Sequence, residues 1–122
     1  MSHSERFSKI VDASRARIKE VNVQDVKQMQ DEGASFALVD TREQSEWAQA
    51  RIPGAIYLGK GVIERDVEAS IPDLNAEIIL YCGGGFRSAL AADALQQMGY
   101  TNVASMDGGI RDWSQSGYPL ER

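Results

Sequence analysis

Cysteine and histidine are almost missing from this sequence: 122 residues hold one of each, Cys82 and His3. A lone cysteine excludes an internal disulfide framework, the usual staple of small secreted domains. A lone histidine, three residues from the start, counts against a cysteine–histidine hydrolase and is expected to be inert in a mobile terminus. There is no repeat, low-complexity tract or linker, and no apolar run approaches the roughly 20 residues of a membrane span. The opening "MSHSERFSKIVDASRARIKE" lacks the apolar centre of a signal peptide. Positive charge is in deficit, with 13 Lys plus Arg against 18 Asp plus Glu and a net charge of -5. That balance argues against nucleic acid or an anionic membrane as the main partner. What is there, 43% hydrophobic residues in 13.4 kDa, fills one core and not two. One domain in a reducing cytosol is the expectation.

The chain alternates short helical and strand patterns. Residues 4–17 carry Phe7, Ile10, Val11 and Ala13 at helical spacing, which predicts an N-terminal helix on the outside of the domain. "VNVQDVKQMQDEG" predicts a helix with Asn22 as N-cap, Asp25 completing a capping box and Gly33 beyond the end. "FALVD" (36–40) is an apolar run too short for a helix and reads as a buried strand, and "EQSEWAQA" follows as a short helix with Trp47 facing the core. "RIPGA" turns into the strand "IYL", and "GVIERDVE" is weakly helical. "EIILYC" (77–82) is apolar enough to need cover on both faces, which predicts the centre of the sheet. A helix over 88–98 ends at Gly99; the strand "NVASM" and a last helix, "GGIRDWSQSG", close the chain. Strands alternating with helices predict an α/β fold, an open central parallel sheet of about five strands with helices on both faces.

In such a sheet the crevice lies at the carboxyl ends of the strands, where Cys82 hands over to Gly83-Gly84-Gly85-Phe86-Arg87 and a helix opening near Ser88. Glycines let successive N–H groups turn into one concavity, the helix start adds its free amides, and Arg87 adds a full charge. Such a cradle holds an anion and favours the thiolate of Cys82 over the thiol. A cysteine ending a buried strand is ordinarily a small core hydrophobe. Cys, four residues, Arg and then Ser at a helix start is a narrower pattern, and it favours the anion cradle. Asp40 and Arg42, at another strand end, are expected as a buried pair bracing the loop. Lys60 and Arg65 are expected to be solvated loop charges, Trp47 and Trp113 core anchors, and Arg111 and Asp112 surface residues. No metal site and no cofactor is expected.

Four motifs in order resemble the rhodanese family of sulfurtransferases in its single-domain form, over about residues 18–120. "LVDTREQSEW" is similar to the family's Asp-x-Arg strand end, and "RIPGAIYL" to its His-Ile-Pro-Gly-Ala turn, with Arg51 in place of the usual, structural His. "YCGGGFRS" is similar to its Cys-x4-Arg-Ser loop, and "GYTNVASMDGGIRDW" to its closing strand with Gly-Gly-x-x-x-Trp. The resemblance implies a rhodanese-like domain at 18–122 behind an extension at 1–17. It implies a sulfane sulfur taken from a small anionic donor such as thiosulfate and passed to cyanide or a thiol, with Cys82 as nucleophile. The amides of Gly83, Gly84, Gly85, Phe86, Arg87 and Ser88 would hold the persulfide, and Arg87 would orient the donor. A relay to a thioredoxin-like or other sulfur-relay protein is the alternative. Phosphatases and arsenate reductases of similar fold resemble Cys-x5-Arg, a longer loop.

Overall fold

The computed structural model describes residues 3–122; Met1 and Ser2, the first two residues of the expected extension, lie outside the described residues. In chain order the elements are α1 (Glu5–Arg15), β1 (Lys19–Val21), α2 (Val23–Asp31), β2 (Ala37–Asp40), α3 (Gln44–Gln49), β3 (Ile56–Tyr57), α4 (Ile63–Ser70), β4 (Ile78–Tyr81), α5 (Phe86–Gln97), β5 (Val103–Met106) and α6 (Gly109–Gln115). The five strands form one parallel sheet in the order β1-β5-β4-β2-β3. As its continuous apolar run predicts, β4 is central and buried along its whole length.

Alternation along the strands divides the core in two. Val39, Ile78, Leu80 and Val103 point to one face, where Ile63 and Val67 of α4 and Ala91, Ala92 and Leu95 of α5 cover them. Leu38, Ile79, Tyr81, Ala104 and Met106 point to the other, under Val23 and Val26 of α2 and Trp113 of α6. Each fully buried Leu or Ile contributes about 2 kcal/mol of apolar transfer. The expected capping box starts α2: the Asn22 side chain accepts from the Asp25 N–H at 2.8 Å, and Asp25 accepts from the Asn22 N–H at 3.1 Å.

Four sequence expectations change. β1, "KEV", was not expected; it is an exposed edge strand without an apolar run. On α1 the inward face is Phe7, Val11 and Ser14, with Ile10 turned to solvent at 59% exposure. Trp47 is half-buried and not a core anchor, sandwiched between Tyr57 (5.5 Å between centroids) and the Arg51 guanidinium at 4.9 Å. The helix expected over 88–98 begins at Phe86, so Arg87 and Ser88 lie in its first turn.

α5 is covered on two sides, because α1 packs on the side away from the sheet and buries Asp93 as well as the apolar positions. Asp93 accepts from Ser14 Oγ at 3.0 Å and from Arg17 Nη2 at 2.6 Å, tying the N-terminal segment down. At the other side of the sheet, α6 presses against the end of β4. The Ile110 N–H donates to the Cys82 carbonyl at 2.9 Å and the Arg111 N–H to the Gly83 carbonyl at 3.1 Å. Only glycine fits at 109: its φ is +60°, and a Cβ would sit 2.6 Å from the Gly83 carbonyl carbon and nearer still to the two carbonyl oxygens.

Two outcomes are expected. Bonds from Arg17, opposed by burial and aided by Ser14, hold the Asp93 carboxyl below the ordinary carboxylate range. A carboxylate lowered in this way adds stability above its unfolded-state pKa of about 3.9, and loses it as pH falls through the lower folded-state value. Asp93→Asn should therefore lower Tm by several degrees near neutrality, with the deficit shrinking as melts are repeated towards about pH 3. Gly109→Ala should cost about 2 kcal/mol or more in urea unfolding, since strain and overlap with rigid backbone add.

Candidate functional site

The carboxyl ends of β2, β4 and β5 converge on Cys82, which is 1% exposed. α6 takes the carbonyls of Cys82 and Gly83, and the loop beyond them curls back over the sulfur. The Gly85 N–H donates to Cys82 Sγ at 3.2 Å and the Ser88 N–H at 3.3 Å. Ser88 Oγ lies 3.5 Å from Sγ and 2.8 Å from Ser105 Oγ, so two buried hydroxyls continue the polar line behind the sulfur. The amides of Phe86 and Arg87, at the start of α5, have no partner within the helix. Sulfur so placed is an acceptor of backbone N–H bonds, an arrangement that stabilises negative charge on it.

The three glycines have different reasons. Gly85 sits at φ +103°, where side chains are strained, and a Cβ there would meet Asp107 Oδ1 and the Gly108 nitrogen at 3.3 Å. Gly83 and Gly84 have no positive φ. A side chain on Gly83 would begin 3.2 Å from Arg87 Nη2, and one on Gly84 would begin 3.5 Å from Arg111 Nη1. Their smallness therefore admits two guanidinium groups to the loop.

Arg87 is not a free charge. Its Nη1 donates to Glu46 Oε2 at 2.8 Å and its Nη2 to Oε1 at 3.3 Å, a two-pronged pair across 41 residues. Burial works against the Glu46 carboxylate, but the bonds from Arg87 and the Glu43 N–H more than offset it and hold its pKa below the usual range. Asp40 and Arg42 form the expected buried pair, Arg42 Nε and Nη2 donating to Asp40 Oδ1 and Oδ2 at 3.0 and 2.7 Å. Their support of the loop is indirect. Arg42 Nη2 also donates to the Ala50 carbonyl at 2.6 Å, securing the end of α3, and α3 carries Glu46.

Arg87 also lines a cavity of about 310 Å³ with Arg42, Tyr57 and Lys60, so Lys60 faces a concavity, whereas Arg65 is exposed and pairs with its neighbour Asp66. Trp113 is a core anchor as expected, fully buried. Arg111 and Asp112 are exposed, as expected, but Arg111 reaches over the loop. His3 is placed against the site: its ring lies 4.1 Å from Phe86, whose own ring is also covered by the Arg15 guanidinium at 4.7 Å. Glu46 and Ser105 went unnoticed in the sequence; Ser105, a polar residue inside the apolar strand "VASM", carried a signal. Among the described residues no three His, Cys, Asp or Glu side chains are grouped to hold a metal ion.

Comparison with known proteins agrees with this geometry. The Rhodanese-like domain family matches residues 22–116. The thiosulfate sulfurtransferase GlpE of Pseudomonas fluorescens is 31% identical, over 87% of this chain and 93% of that protein. YrkF of Bacillus subtilis, named as a candidate sulfur carrier protein, is 33% identical over 80% of this chain, but the match spans only 51% of YrkF. A solved structure from Rhodopseudomonas palustris, described as a protein of unknown function and possible tyrosine phosphatase, superposes with a TM-score of 0.89 at 28% identity, covering 99% of this chain and 98% of that one. With residues 22–116 matched to one family model and a relative 31% identical over 93% of its own length, the chain belongs to the rhodanese family.

Proposed function

We propose that the protein transfers sulfane sulfur through a persulfide on Cys82, with thiosulfate or a donor like it as the source. The observation that carries this reading is the sole thiol of the chain accepting backbone bonds from Gly85 and Ser88 at 3.2 and 3.3 Å. In the first half-reaction the Cys82 thiolate attacks the outer sulfur of thiosulfate. A sulfur–sulfur bond forms to Sγ, the sulfane–sulfonate bond breaks, and sulfite leaves with its electron pair. In the second, cyanide or a thiolate takes the terminal sulfur and Cys82 returns as thiolate. The two amide bonds on Sγ position the sulfur as the nucleophile. The amides of Gly83 to Ser88 hold the persulfide anion, and Arg87, steadied by Glu46, orients the donor and stabilises the leaving charge.

A second reading uses the same persulfide as cargo between proteins, and YrkF's name gives it support. Both suit a reducing compartment such as the cytosol, where a single thiol stays free. Phosphatase chemistry is the weaker reading. Cys82 and Arg87 have four residues between them, one fewer than the loop those enzymes resemble.

Intact-mass measurement tests the proposal: incubation with thiosulfate should add one sulfur atom, and cyanide should remove it. Cys82→Ser should gain nothing while keeping the wild-type Tm, because the hydroxyl fits the same space but is a far weaker nucleophile at neutral pH. Turnover by that folded variant would sink the mechanism. Arg87→Lys keeps the charge but cannot span both Glu46 oxygens, so loading should slow about tenfold with little change in Tm. A Tm lowered by several degrees with loading intact would make Arg87 a brace alone.

A further inference from the structure

Arg111 is anchored to the cysteine loop twice. Its backbone N–H donates to the Gly83 carbonyl at 3.1 Å, and its guanidinium covers Gly84, with Nη1 3.5 Å and Cζ 3.8 Å from the point where a side chain there would begin. Gly109 fixes that placement, since its lack of a side chain is what lets α6 approach the loop at all. The two guanidinium groups beside the loop are thus unlike. Arg87 is neutralised by Glu46 and 32% exposed; Arg111 is exposed and, among the described residues, makes neither an ion pair nor a side-chain hydrogen bond. Nearby carboxylates do not claim it: Asp107 faces Arg15 at 3.6 Å, and the Asp112 side chain folds back over Gly108.

An uncommitted guanidinium lying against Gly84 sets five donors beside the loop that holds the sulfur. Water satisfies them when nothing is bound. An oxyanion arriving with its reactive end towards Cys82 would place its oxygens at this rim. We propose that Arg111 is a specificity-determining residue that selects small oxyanionic reagents for Cys82, holding their anionic oxygens outside the loop while the reactive atom reaches Sγ. For a sulfur donor this is the sulfonate end of thiosulfate, and only that identification rests on the function proposed above. The electrostatic selection itself belongs to the loop and acts on any small anion that reacts with the thiol.

The test uses the full chain and its single thiol. Alkylation by neutral iodoacetamide and by anionic iodoacetate is followed by intact mass in wild type, Arg111→Ala and Arg111→Lys. In Arg111→Ala the ratio of the iodoacetate rate to the iodoacetamide rate should fall about threefold to tenfold. Arg111→Lys should keep most of the ratio, and added salt should bring the wild-type ratio down towards that of the alanine variant. The thiosulfate concentration for half-maximal loading should rise by a similar factor in Arg111→Ala. An unchanged ratio overturns the assignment, as does an equal fall in both alkylation rates with a lowered Tm, which would mean that Arg111 only shapes the loop. If wild type gains no sulfur from thiosulfate while the ratio behaves as expected, the donor is wrong and the selection by Arg111 stands.

Discussion

Two backbone hydrogen bonds organise everything around Cys82: the amides of Ile110 and Arg111 taking the carbonyls of Cys82 and Gly83. With those two carbonyls held by α6 the first two peptide planes of the loop are fixed, and the loop then curls so that the amides of Gly85 and Ser88 reach the sulfur. The placement of the loop therefore depends on a second element packed against it as well as on the loop's own residues. Gly109 permits the approach, and α6 is in turn seated by the wholly buried Trp113, whose indole N–H donates to the Pro119 carbonyl at 2.8 Å. A substitution at any of these positions reaches the thiol without touching it.

Charge in the fold is held in committed pairs, two of them beside the site. Asp40 with Arg42, Glu46 with Arg87 and Asp93 with Arg17 each match a carboxylate to a guanidinium in two-pronged or multiple bonds, which holds geometry more firmly than single contacts of long side chains. In a chain with an excess of acid, such pairing keeps carboxylates from opposing the anionic chemistry at the sulfur. Backbone dipoles then act at the sulfur beside the two guanidinium groups, and they cost no side-chain ordering when an anion arrives.

What could be read from the sequence was what lay close together along it. Cys82 to Ser88 is one contiguous run, the Asn22–Asp25 box spans four positions, and the centrality of β4 follows from an apolar stretch that needs cover on both faces. What could not be read depended on strand order. Glu46 meets Arg87 because β2, which leads into α3, lies beside β4 in the sheet, and Ser105 meets Ser88 because β5 flanks β4 on the other side. Trp47 escaped for another reason: α3 lies outside the sheet, and a large ring packed by Tyr57 and Arg51 satisfies itself half-exposed. The helix start moved from Ser88 to Phe86 because Gly85, at positive φ, already turns the chain into the helix.

The pairing of β1 with β5 has a bearing on how the molecule is made. The first strand has no neighbour in the sheet until the last one is in place, and the amides that orient the cysteine loop lie just beyond that last strand. Contacts between such distant parts of a chain form late, since loop closure must be completed before they reward it. During synthesis Cys82 emerges well before residues 103–111, and until those residues follow, it has neither β5 beside its strand nor α6 against the carbonyls of its loop. The nascent chain thus carries the cysteine before the surroundings that enclose it, and these come only with the finished sheet.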